Sequence, residues 1–245
     1  MTVSIERLAI RQLEDWVRLT PGTYFGEPGA SLSLAEAYQV QERIVELRVA
    51  NGERIGGYKL GCLGPKIRAT FGMDGPIRGT LFSNEFHPSG ANLSCAQYAN
   101  LAIEGEMAIR IGAHGAAESV FPVIELHHFV LRSEPRLLQE LIVNNGLNAG
   151  AVFSTVATQV SAPDGTVDIE INGQPVARTP LWGFPGGLEE TLNWLKVHLA
   201  AHGLQLEPGQ IVLAGTLGDI YPVTQGDRVR VRVAQNSAVE LDVRP

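Results

Sequence analysis

The stretch LAIEGEMAIRIG (residues 101–112), followed by FPVIELHHFVL (121–131), decides how this chain folds. The first run alternates. Ile103, Met107, Ile109 and Ile111 share one parity, and Glu104, Glu106 and Arg110 share the other. Side chains on a strand alternate faces with period two, so the pattern predicts a strand that projects Glu104 and Glu106 on one side. In the second run Val123, Glu125, His127 and Phe129 share a face, so a surface position is not required of Glu125. Three carboxylates converging from two strands repel one another unless a proton or a cation neutralises them. All-oxygen ligation suits a hard ion such as Mg2+ or Mn2+. The competing reading is a solvated strand face, on which acidic residues two apart are common.

Short apolar runs separated by Gly, Pro and Asn turns continue on both sides of this pair. They predict strands around 56–61, 79–82, 103–112, 122–130, 167–172, 210–215 and 228–243. The segment VDIEI-NG-QPVA (167–177) predicts a hairpin closed at Asn172-Gly173, a dipeptide suited to positive φ. Helices over 133–143 and 188–202 interrupt the strands. The second places Leu188, Leu192, Leu195 and Leu199 on one stripe and ends before Gly203.

Upstream of residue 55 the character is helical. Ile5, Leu8, Trp16 and Val17 form a stripe that stops at Thr20-Pro21-Gly22. Ser33 and Glu36 have the spacing of a capping box, Ala37, Val40, Ile44 and Leu47 continue a buried face, and Asn51-Gly52 ends the helix. TPGTYFGEPGAS (20–31) links the two helices. The expected organisation is an N-terminal helical region (1–55) and a β-rich catalytic domain (56–245).

Composition excludes several function classes. The 245 residues suffice for one sizeable core. The net charge is −7 and no Lys/Arg-rich run occurs, which argues against nucleic acid and acidic membrane surfaces as partners. No apolar stretch approaches the ~18 residues of a membrane span, and MTVSIERLAIRQLEDWV carries charges throughout, unlike a signal peptide. Cys62 and Cys95 fit neither a disulfide framework nor a CxxC site, so a reducing cytoplasm is the expected compartment.

Other motifs carry little. His198 and His202 lie four apart in HLAAH, but the glutamate of an HExxH zinc motif is missing, and His202 reads as a dipole contact at a helix end. GGYKLGCLG (56–64) has neither the GK[ST] ending of a P-loop nor GxGxxG spacing. No GxSxG or Cys/His signature supports a nucleophilic hydrolase. Lys59 is more informative. Gly57 and Gly61 flank it on its own strand face and leave room for a ligand. An inward lysine near a metal is expected to have a lowered pKa and to serve as an acid/base. The alternative is an edge-strand lysine that discourages aggregation.

LSLAEAYQVQ (32–41), GYKLG (57–61), ATFGMDGPIRGTLF (69–82), IEGEMAIRIG (103–112), FPVIEL (121–126), NNGLNAG (144–150), ETLNWLKVHLAAHGLQLEPGQIVLAGTLG (190–218) and VTQGDRVRV (223–231) occur in an informative order. Across nearly the whole chain they resemble the fumarylacetoacetate hydrolase superfamily, and within it the 2-keto-4-pentenoate hydratase and 4-oxalocrotonate decarboxylase branch. The resemblance implies an α+β, β-rich roll behind an N-terminal helical region, in a homo-oligomer. It implies Glu104, Glu106 and Glu125 as ligands of Mg2+ or Mn2+, Lys59 as the active-site lysine, and Thr216 near the substrate.

The implied activity is that of a metal-dependent lyase on small 2-oxo acids, with hydration of a 2-hydroxydienoate in aromatic catabolism first. Decarboxylation of an oxalocrotonate, C–C hydrolysis of an acylpyruvate, and a low-activity homologue that binds a partner subunit are the alternatives. Hydratases and decarboxylases of this branch can associate, so a complex with a pathway enzyme is among the implied partners. In each reaction the cation stabilises charge that develops on the 2-keto oxygen.

Three departures from the family pattern stand out. Ile77 occupies the Asp position of a PDFG-like motif, and Arg78 after it becomes a candidate contact for a distal substrate carboxylate. The connection from Glu106 to Glu125 is shorter than in relatives. Relatives often read EIVDSR after the third carboxylate where this chain reads ELHHFV, which makes His127 a candidate acid/base, or else a core histidine.

Overall fold

The computed structural model describes residues 4–153, 165–233 and 237–245. Helices α1 (Ile5–Val17) and α2 (Leu34–Ala50) come first, followed by β1 (Ile55–Gly61), α3 (Pro65–Phe71), β2 (Ile77–Phe82), β3 (Phe86–Pro88) and β4 (Ala91–Ser94). The long strands β5 (Leu101–Ile111) and β6 (Ala117–His128) lead to α4 (Leu138–Val143) and β7 (Asn148–Phe153). The remainder is β8 (Thr166–Ile171), β9 (Gln174–Pro180), α5 (Gly187–Ala201), β10 (Ile211–Leu213), β11 (Tyr221–Pro222), β12 (Arg228–Val233) and β13 (Ser237–Arg244). No helix among the described residues is long and apolar enough to cross a membrane.

The strands form two sheets. The larger runs β2-β1-β10-β5-β6-β7-β3, with β11 paired to β5, and the smaller runs β4-β13-β12-β8-β9. The β5 alternation decides how they meet. Its odd face carries Ile103, Met107, Ile109 and Ile111, all fully buried, in one core cluster with Val167, Ile169, Val229, Val231, Val239 and Leu241 of the smaller sheet and Leu192, Leu195 and Leu199 of α5. Gly105 lies on this same face between the two glutamates. A Cβ there would stand 2.8 Å from Ile169 Cγ1 and 2.9 Å from Val231 Cγ2, so the missing side chain lets the sheets close. The even face is left for Glu104 and Glu106.

The helical readings hold where capping chemistry fixes them. Ser33 Oγ accepts from Glu36 N at 3.2 Å while Ser33 N donates to Glu36 Oε2 at 2.7 Å, so both halves of the capping box are present. The hairpin turns at Asn172 (φ 55°) and Gly173 (φ 73°) as the dipeptide predicts. The helix expected over 133–143 is confined to Leu138–Val143. Pro135 lacks an N–H, and the buried Glu140 carboxylate captures Arg132 N (2.6 Å), Ser133 N (2.8 Å) and Ser133 Oγ (2.6 Å), which folds this segment back as a loop. The run expected as one strand over 228–243 is the antiparallel pair β12–β13. Sequence reading did not find α3, β3, β4 or β11, which are short.

Helices α1, α2 and α4 share a second apolar cluster that also contains Ile77 and Leu147. Gln41 on α2 pins it, donating to Ile142 O (2.7 Å) and Arg78 O (3.1 Å).

Gly57 does not open a ligand space, contrary to the expectation. Its φ is 146°, and a Cβ there would fall 1.8 Å from Ile211 O on the parallel strand β10. Gly57→Ala is expected to cost about 3 kcal/mol or more, read from the urea midpoint, or to prevent soluble folding. A midpoint within experimental error of the native one would contradict the close β1–β10 approach.

Candidate active site

The register of β5 on β6 places Glu104 directly opposite Glu125, with Glu106 opposite Val123 and His127 opposite Ala102. Opposed residues share a face, so Glu104, Glu106, Glu125 and His127 converge. Lys59 joins them from β1, two strands from β5 through β10. Burial is nearly complete: Lys59 is 2% exposed, Glu106 1%, Glu125 0% and His127 1%. Glu104, with its side chain 16% exposed, is the least buried of the group.

Glu125 Oε1 is held by Lys59 Nζ at 3.1 Å and by Asn148 Nδ2 at 2.8 Å. Glu106 Oε2 accepts the backbone N–H of Gly215. His127 Nε2 stands 3.2 Å from Glu104 Oε2 and 3.8 Å from Glu125 Oε2. Glu104, Glu125 and His127 each offer an atom within 4.8 Å of the others, the spread of a metal-ligand group. Glu106 Oε1, Glu125 Oε2 and both nitrogens of His127 are buried without a hydrogen-bond partner. Buried polar atoms are normally satisfied, and several unsatisfied ones around one point fit a missing ion. The donor set therefore suits a divalent cation.

The charges bear this out. Burial pushes the Glu106 carboxyl well above the usual range, and the nearby Glu125 and Glu104 push the same way. Burial also works to raise Glu125, but Lys59, His127 and hydrogen bonds from Glu106 and Asn148 outweigh it and leave that carboxyl lowered. The lowered pKa expected for Lys59 is that of a lysine near a metal; the protein groups alone push the other way. Burial does favour the neutral amine, yet Glu125, Glu104 and Glu106 together raise the ammonium above its ordinary value. One ammonium against three carboxylates leaves net negative charge for a cation to take up.

A cavity of about 460 Å³ opens from this cluster. Lys59, Glu104, His127 and Thr216 line its polar part; Ile77, Phe129, Leu131 and Leu147 line an apolar wall. Thr216 is thus on the cavity, its Oγ1 accepting from Gly218 N at 3.0 Å. Cys62 also borders it, but burial pushes its thiol up to about 11, so it is no nucleophile at neutral pH.

Arg78 is not brought into the cavity. Strand alternation sends Ile77 toward Lys59 and Arg78 to the opposite face, where Nη2 donates to Glu42 Oε1 at 3.0 Å and the guanidinium lies 5.5 Å from the Tyr38 ring. The arginine is 1% exposed, so it faces neither solvent nor substrate. His202, at the C-terminal end of α5, binds the same Glu42 oxygen at 2.7 Å, and His198 stacks on Trp194. These groups tie α2 to α5.

Sequence reasoning quoted NNGLNAG as part of the resemblance but gave its residues no role, although this segment positions the cluster. Asn145 clamps β2 through Thr80 N and Thr80 O, both at 2.7 Å. Gly146, at φ 62°, lies against the lysine chain, and a Cβ there would stand 3.3 Å from Lys59 Nζ. Gly79 does the same from β2, 2.9 Å from Lys59 Cγ. Asn148 completes the hold on Glu125. The clustering of three asparagines and two glycines was the available signal, because buried amides and close backbone approaches need those residues. Asn148→Leu removes a donor to a buried carboxylate and is expected to cost about 1.5–3 kcal/mol in urea unfolding. A loss below about 0.5 kcal/mol, the range of a neutral surface change, would mean that Asn148 does not hold Glu125.

No family model matches the chain. It is 25% identical over 225 residues to 2-oxo-hept-4-ene-1,7-dioate hydratase of Escherichia coli, covering 82% of this chain and 83% of that protein. It is 26% identical over 220 residues to 4-oxalocrotonate decarboxylase of a Pseudomonas species, covering 82% of each. In structure it resembles 4-oxalocrotonate decarboxylase of Pseudomonas putida, solved with magnesium and adipate, at a TM-score of 0.90, 21% identity and 99% coverage of both chains. The chain is a homologue of the 2-keto-4-pentenoate hydratases and of 4-oxalocrotonate decarboxylase, and it shares its fold with solved structures of the fumarylpyruvate hydrolase type.

Proposed function

We propose that the protein is a divalent-metal-dependent lyase of small 2-oxo acids, and that its reaction is hydration of a 2-hydroxy-2,4-dienoate arising in aromatic breakdown. One observation carries this reading: three converging carboxylates, two of them with buried unsatisfied oxygens, beside a buried lysine, at the closed end of a cavity sized for a small acid. Glu104, Glu106 and Glu125 hold the cation, Mg2+ or Mn2+. When bound, it supplies a Lewis acid that anchors a 2-oxo carboxylate and stabilises charge on the 2-keto oxygen.

The chain's own groups do the rest. Lys59 Nζ is the proton carrier. Neutralising the carboxylates weakens the influence that raises its pKa, and burial then works toward the free amine. Gly79 and Gly146 keep its chain extended toward the cluster. Thr216 Oγ1, at the cavity edge, is placed to hydrogen-bond the substrate. Ile77, Phe129, Leu131 and Leu147 keep water from the carbon chain.

Decarboxylation is the second reading, and Ile77 favours it. This apolar residue sits in the cavity beside Lys59, where the family pattern has an acid that takes part in hydration. Losing CO2 requires no second group to deliver water.

Purified protein loaded with Mg2+ or Mn2+ is to be assayed on a dienoate, an oxalocrotonate and an acylpyruvate, scoring water addition, CO2 and pyruvate separately. Lys59→Met is expected to keep the metal and to lower turnover by about 100-fold or more. Native turnover in that variant would remove Lys59 from the chemistry, and inactivity of the native protein on all three substrates would point to a binding subunit. Ile77→Asp is expected to raise water addition relative to CO2 release. An unmoved ratio would show that position 77 does not choose between the two reactions.

A further inference from the structure

The cavity cluster contains a group that an all-oxygen site does not use. His127 is 1% exposed, and neither ring nitrogen has a hydrogen-bond partner among the described residues. Its Nε2 is 3.2 Å from Glu104 Oε2, close enough for a hydrogen bond in distance, but the ring N–H is not directed at that oxygen. A second carboxylate oxygen, Glu125 Oε2, is 3.8 Å away and is also unpartnered. Cis ligands of an octahedral ion with bonds of about 2.0–2.3 Å stand about 2.8–3.3 Å apart, so the Nε2–Oε2 spacing suits two donors aimed at one ion. Glu106, by contrast, has one oxygen committed to Gly215 N and lies outside the group of three donors within 4.8 Å.

We infer that His127 binds the cation directly through Nε2, alongside Glu104 and Glu125, rather than acting as an acid or base. This rests on the proposed metal site and goes beyond it by naming the ion class. An imidazole among carboxylates shifts preference away from Mg2+ and toward Mn2+, Fe2+, Co2+ or Zn2+. The neighbouring His128 does not compete for this role: its Nδ1 accepts from Ala99 N at 2.9 Å and its ring packs edge-on to Trp16, on the other face of β6.

The test is pulsed electron paramagnetic resonance on the full chain loaded with Mn2+, without substrate. Native protein is expected to show electron spin-echo modulation from a directly bound nitrogen, and the pattern is expected to change when only histidine is labelled with 15N. His127→Gln is expected to lose the modulation, and its preference for Mn2+ over Mg2+ in competition titrations is expected to fall about tenfold or more. The isotope result on native protein stands even if the variant fails to fold, because His127 is the one histidine in the donor group among the described residues. Bound Mn2+ with no nitrogen modulation would overturn the inference and leave the metal-dependent lyase in place. Modulation that persists in a folded His127→Gln would overturn it too. No binding of Mn2+ at all would overturn both.

Discussion

Glu104 and Glu125 face one another across the β5–β6 ladder, and like charges at directly opposed strand positions are destabilising. Burying them makes the conflict sharper, since an unpaired buried charge costs several kcal/mol. The surroundings are arranged around that conflict. Lys59 crosses from β1 to meet Glu125, Asn148 donates to the same oxygen, and the Gly215 N–H takes Glu106. These contacts stop short of full compensation, and the remaining unsatisfied atoms of Glu106, Glu125 and His127 all belong to this one cluster. A site built this way is more stable with a cation than without one.

The two faces of β5 divide the work. One face is wholly apolar and seals against the smaller sheet, with Gly105 permitting the contact. That seal gives the polar face a fixed base, so the carboxylates cannot swing apart to relieve their repulsion. On the other side α1, α2 and α4 supply an apolar cluster that reaches Ile77 and Leu147 at the cavity wall. The N-terminal helices thereby contribute to the surroundings of the reacting groups, although they carry none of them. Arg78, Glu42, Tyr38 and His202 fasten that layer to α5 through buried polar contacts.

The homologues carry both hydratase and decarboxylase names. Differences are to be sought next to Lys59, where this chain places a hydrocarbon side chain, and at His127, where it places a nitrogen donor. Both border the same cavity.

The sequence by itself determined what local periodicity and capping can specify. The β5 alternation set which face holds Glu104 and Glu106, Ser33 and Glu36 set the start of α2, and Asn172-Gly173 set a hairpin. The resemblance of several ordered segments pointed to the same family as the later comparisons. Tertiary structure decided everything that depends on distance between remote segments. Only the strand order brings Lys59 beside Glu125, whose charge opposes the effect of burial on the lysine. Only the pairing of β1 with β10 shows that the space beside Gly57 is filled by Ile211. Arg78 was placed near the substrate because it follows Ile77, but adjacent strand residues point to opposite faces, and Glu42 on α2 holds it on the far one. NNGLNAG has no periodicity to read, because its residues serve three different strands at once: Thr80 on β2, Lys59 on β1 and Glu125 on β6. A pattern in sequence records how a residue relates to its neighbours along the chain, whereas these contacts exist only after the sheet has closed.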